Sequence, residues 1–118
     1  MTKVSRKQVL DKINKRKERY FVEEWDGEVL IKGLTLGEKM QIPNIAKKFE
    51  DGDKKVAIDM AKFVVKCVLD VETEEPLFEL SDVEALANDD TGAVEKVFNK
   101  IMAVSGYGTE VQETIEKN

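Results

Sequence analysis

The chain has 118 residues, 42% of them apolar and 36% charged, with a formal net charge of −5 at neutral pH. That length fits one domain burying roughly two-thirds of its unfolded surface, and the composition is that of a folded protein with a highly charged skin. No apolar run reaches the ~18 to 20 residues that span a bilayer, the basic start lacks the apolar stretch of a secretory signal, and the absence of histidine removes the commonest general base and zinc ligand.

These exclusions predict a protein of the cytoplasm that binds and does not catalyse. Charge is unevenly placed. Residues 1–19 hold eight basic and two acidic groups, a net of +6, and the remainder holds 11 basic and 22 acidic, a net of −11. A basic arm on an acidic body implies two surfaces with different partners, or an arm that folds back. The single cysteine, Cys67, closes no internal disulfide and reads as a small buried hydrophobe.

Residues 5–19 are predicted as a basic helical arm. Ser5 and Gln8 have capping-box spacing, and Val9, Leu10 and Ile13 make a short apolar stripe that needs a partner surface. Residues 20–35 read as a β-hairpin turning at Asp26-Gly27, with glycine supplying positive φ. Tyr20, Val22 and Trp25 face inward on one strand, and Val29 and Ile31 on the other. A two-stranded hairpin is marginal alone, so it must pack on helices.

Thr35 and Glu38 form a second capping box that opens a helix. Pro43 divides the following stretch into two helices, with Ile45 and Phe49 inward, and Asp51-Gly52-Asp53 ends it. Residues 54–70 carry the strongest helical pattern. Val56, Met60, Phe63, Val64, Cys67 and Val68 recur at three- and four-residue steps, which places this helix at the centre of the core. Residues 71–80 connect. Ser81 and Glu84 are spaced as a third capping box for a short helix through Ala87, and Asn88-Asp89-Asp90 breaks it and caps the next. Val94, Val97, Phe98 and Ile101 mark a helix over about 92–104, stopped by Gly106 and Gly108. Residues 109–118 read as a flexible acidic tail. The expected fold is α+β, mainly α: a small N-terminal hairpin on a bundle of four to five helices, with residues 20–108 as one globular domain.

No catalytic constellation is present. The acidic clusters Glu23-Glu24, Asp51-Asp53, Glu72-Glu74-Glu75 and Asp89-Asp90 lack the ligand spacing of a calcium loop and read as solvated charge or caps. No glycine-rich phosphate loop or metal-ligand spacing occurs, so no cofactor is expected. Trp25 reads as a hairpin-packing residue that would anchor a partner if exposed. The basic arm suits phosphate contact, but no recognised readout motif accompanies it.

Two stretches carry a family resemblance. Glu24, Trp25 and Gly27 form an acidic-Trp-x-Gly turn, followed by a strand with Val29, then Leu34-Thr35 and the helix-opening Glu38. Residues 82–108 give a short helix, an acidic break, a final helix with Val97 and Ile101, and a stop at Gly106 and Gly108. In order and spacing these resemble the tail assembly chaperones of long-tailed bacteriophages, and they cover about half of the chain. The resemblance implies a non-enzymatic protein of the bacterial host cytoplasm, absent from the mature virion. It implies binding of the tape measure protein, with the major tail protein and a longer frameshifted form of the chain as further partners, and it leaves self-association open. The three codons of Glu116-Lys117-Asn118 can contain a heptamer on which a ribosome can slip back one base, so the chain is expected to be the short product of such a pair. The alternative is a small phage or prophage regulatory or nucleic-acid-associated module using the basic arm.

Overall fold

The computed structural model describes residues 3–13 and 15–107. Gly108 and the expected tail over 109–118 lie outside the described residues. The fold is α+β and mainly helical, as the sequence predicts. Helix α1 is Arg6–Lys12, strands β1 and β2 are Lys17–Val22 and Gly27–Lys32, and helices α2, α3 and α4 are Leu36–Lys39, Ile42–Glu50 and Lys55–Cys67. Strand β3 is Val68–Leu69, and α5 and α6 are Val83–Ala87 and Ala93–Val104.

The Ser5–Gln8 capping box is formed in both directions, at 2.8 Å and 3.2 Å. The helix it opens stops at Lys12, short of the expected residue 19. Residues 17–19 instead begin β1, opposite Leu30, Ile31 and Lys32. The pairing partner decides the matter: a basic run with no apolar period has weak helical commitment, while the β2 edge offers a full ladder. Every residue of α1 is exposed.

The hairpin forms, but its turn differs from the expected one. Val22 pairs with Gly27, and residues 23–26 make the connection through a 3-10 turn. Asp26, not Gly27, takes the left-handed conformation, at φ 52°. Aspartate tolerates that region better than most residues. Gly27 is the first residue of β2. The inward alternation is as expected: Val22, Val29 and Ile31 are buried, and Tyr20 and Trp25 pack at the edge of the core.

The capping box of Thr35 and Glu38 opens α2, which lasts one turn. Pro43 lies in the first turn of α3, where its missing N–H has no helical partner to lose. Ile45 is buried, but Phe49 is 60% exposed and is not a core residue. Lys48 of α3 pairs with Asp59 of α4 at 2.9 Å.

Helix α4 contributes Ala61, Phe63, Val64 and Cys67 to the core. It ends at Cys67 instead of continuing to residue 70. Val68 is extended, and Val68 and Leu69 pair with Ile31 and Leu30 as the third strand of an antiparallel sheet in the order β1-β2-β3. The connection then turns back, with the Leu77 amide donating to the Val68 carbonyl at 3.1 Å. Asp70 pins the turn by accepting from the amides of Glu72 and Thr73.

The capping box near residue 80 also shifts. It joins Glu79 and Asp82 across a 3-10 turn, not Ser81 and Glu84. The N-cap of α6 is Gly92, not one of residues 88–90; Asp89 still accepts from Thr91 Oγ1 at 2.7 Å and from the first-turn Val94 amide at 3.2 Å. Helix α6 then buries Val94, Val97, Phe98, Ile101 and Met102 against the hairpin and α4. Phe98 meets Phe63 with ring centroids 6.2 Å apart. Gly106, at φ 98°, ends the run in a conformation that favours glycine. Among the described residues no helix is long and apolar enough to cross a membrane.

Candidate functional site

The residues of the two sequence signatures come together around the hairpin–α6 contact. Glu24, in the hairpin turn, forms an ion pair with Lys96 of α6. The Lys96 ammonium donates to Glu24 and holds its carboxyl below the ordinary range, and the Lys96 pKa is raised in turn. The second Glu24 oxygen is shielded and has no partner among the described residues. Trp25 is half-buried and meets Phe78 edge to face, with centroids 5.7 Å apart. It therefore clamps the hairpin turn onto the 70–80 connection.

Val29, Leu34, Val97 and Ile101 are core residues, with Val97 and Ile101 wholly inaccessible. Thr35 and Glu38 are occupied with each other's backbone amides at 3.2 Å and 2.8 Å. Gly106 terminates α6, and Gly108 is outside the described residues. The signature thus describes how the hairpin, α2 and α6 are assembled. None of its buried members is available to a partner in this fold.

One coupling was invisible in the sequence. Ser105 is buried, accepts from the Leu34 amide at 2.8 Å and donates to the Ile101 carbonyl at 2.6 Å. Beside it, Gly33 lies so close to α6 that a Cβ there would stand 3.3 Å from the Val104 carbonyl oxygen. Residues 71 positions apart leave no local pattern to read.

The surface available to a partner lies elsewhere. Large apolar side chains stand exposed on α1 and its flanks, at Val4, Val9, Leu10 and Ile13, and on α2 and just after it, at Leu36 and Met40. Leu36 is 81% exposed and Met40 is 72% exposed. Their spacing of four residues puts both on one side of the helix. Phe21, Phe49 and Leu80 are further exposed apolar positions. Cys67 is buried, and burial, then the nearby Glu38 charge, pushes its thiol up to about 12, against the pull of Lys32 and Lys66. It is not a nucleophile at neutral pH. No group of three or more metal-ligating side chains is found among the described residues. No family model, curated protein or solved structure matches the chain.

Proposed function

We propose that this protein is a phage tail assembly chaperone that binds the tape measure protein and keeps it soluble while the tail is built. The observation that carries the reading is the apolar set left bare on α1 and α2: Val9, Leu10, Ile13, Leu36 and Met40, on a surface otherwise dense in charge. An amphipathic helix with nothing buried beneath its stripe is suited to meet a second helix side by side. A tape measure protein is a long helical chain whose apolar stripes associate wrongly when uncovered. The acidic body beside the contact keeps the complex dispersed. This reading assigns binding to the exposed faces of α1 and α2 and not to the core.

Co-expression with the tape measure protein of the same gene cluster tests the reading. Its soluble fraction should rise with this chain and fall back with Leu10→Asp/Ile13→Asp or Leu36→Asp/Met40→Asp. These side chains are exposed, so the variants should keep wild-type stability within about 0.5 kcal/mol per site. A tape measure protein no more soluble with the chain than without it would end the proposal.

A further inference from the structure

Four cations from four parts of the chain line one cavity. Lys12 closes α1, Arg16 precedes β1, Lys32 closes β2 and Lys39 closes α2, around a space of about 180 Å³ also lined by Gly33, Leu34, Val104 and Ser105. Arg16 Nη1 and Lys39 Nζ each lie 4.0 Å from the point a Cβ on Gly106 would occupy, so the two charges stand within about twice that distance of each other. Among the described residues none of the four forms an ion pair, whereas Lys17, Arg19, Lys48, Lys96 and Lys100 all do. Lys39 does stand over the Tyr107 ring at 5.7 Å, and the neighbouring Glu38 carboxylate is engaged by the Thr35 amide.

Cations gather at helix C-termini for a plain structural reason, and the end of α6 is one wall of this cavity. A helix terminus offers roughly half an elementary negative charge. Against four full positive charges that leaves most of the field uncompensated. A second hollow, lined by Lys3, Val4, Gln8, Val9 and Lys12, shares Lys12 with the cavity and brings apolar side chains to that lysine.

We propose that this cavity binds the carboxylates of an acidic peptide segment with interspersed apolar residues. A peptide of that kind places its charges on Arg16, Lys32 and Lys39 and its apolar side chains on Val4 and Val9. A nucleic acid fits less well. Residues 20–118 carry a net −11, so a uniform polyanion running past the cavity meets repulsion, while a short peptide ends its charge within it. The site goes beyond the chaperone reading and stands whatever the identity of the elongated partner.

The test is fluorescence anisotropy with a labelled peptide of repeating Glu-Glu-Leu and a labelled single-stranded oligonucleotide of equal length. Saturable, salt-sensitive peptide binding is expected, weakened roughly tenfold or more by Arg16→Glu/Lys39→Glu. Lys54→Glu/Lys62→Glu changes net charge equally at exposed positions on α4 and just before it, and should leave binding intact. Equal losses in the two variants, no peptide binding, or tighter binding of the oligonucleotide would each overturn the proposal. So would peptide binding that appears only after Glu110→Gln/Glu113→Gln/Glu116→Gln, which would reassign the cavity to the chain's own acidic segment. If circular dichroism shows the Arg16→Glu/Lys39→Glu variant unfolded, lysine acetylation of the unmutated chain decides. Peptide should protect Lys12, Lys32 and Lys39 but not Lys54 and Lys62, and uniform reactivity would reject the site.

Discussion

Ser105 uses one hydroxyl twice, accepting the Leu34 amide and donating to the Ile101 carbonyl. Alanine there leaves a buried N–H without a partner. Ser105→Ala should therefore destabilise the fold by about 1 to 3 kcal/mol, read from the urea midpoint at unchanged slope. The Glu24–Lys96 pair makes a different prediction because it titrates. The Glu24 pKa is lowered from 4.5 in the folded chain, so the unfolded chain takes up its proton first as acid is added. Its stabilisation is complete above the unfolded value and is lost as pH falls through the folded one. The stability gap between wild type and Lys96→Met should be present at neutral pH and close in acid. A gap that persists at low pH would assign the loss to packing and not to charge. Asp89 belongs to the same class: burial pushes its carboxyl up, but hydrogen bonds from Thr91 and the Val94 and Gly92 amides outweigh that and hold it low.

At the scale of elements, caps and turns decide where helices begin, and a pairing partner decides where α4 ends. Thr35 and Glu38 start α2 immediately after the sheet, and Thr35→Ala should reduce stability by about 1 kcal/mol, checked by thermal melting. Such signals are local, which is why the hairpin, two of the three expected capping boxes, the division at Pro43 and the α6 stripe could be read from residue types alone. Other boundaries depend on distant groups. Val68 and Leu69 continue the apolar rhythm of α4, and only the β2 edge beside them turns them into a strand. Residues 17–19 look like the rest of the basic arm until Leu30, Ile31 and Lys32 are placed opposite them. Phe49 sits one turn after buried Ile45, yet its ring is exposed. The surface in question was even less legible. Leu36 and Met40 have no polar alternation to flag them, and the four cations that line the cavity come from segments with nothing in common in sequence.

For the whole molecule, the core is one cluster joining the hairpin, α4 and α6. Cys67 reports on it. With its thiol pushed up to about 12 and inaccessible, the residue can react only when the core around α4 opens. Modification by a thiol reagent should be slow in the native state and should speed up with denaturant in parallel with global unfolding. Rapid labelling without denaturant would show that α4 opens independently of the rest. Ile101→Ala, at the centre of the same cluster, should cost about 2 to 5 kcal/mol in chemical denaturation.

The seam between Leu34 and Ser105 also sets a timetable for biosynthesis. Helix α6, which packs on both hairpin strands, is made after them, and the seam at its end closes through Ser105, 71 positions after the residue it holds. A nascent chain therefore leaves the ribosome with its sheet uncovered and cannot close until Ser105 has emerged. Any ribosomal pause before that codon prolongs the interval in which the half-made protein needs protection itself.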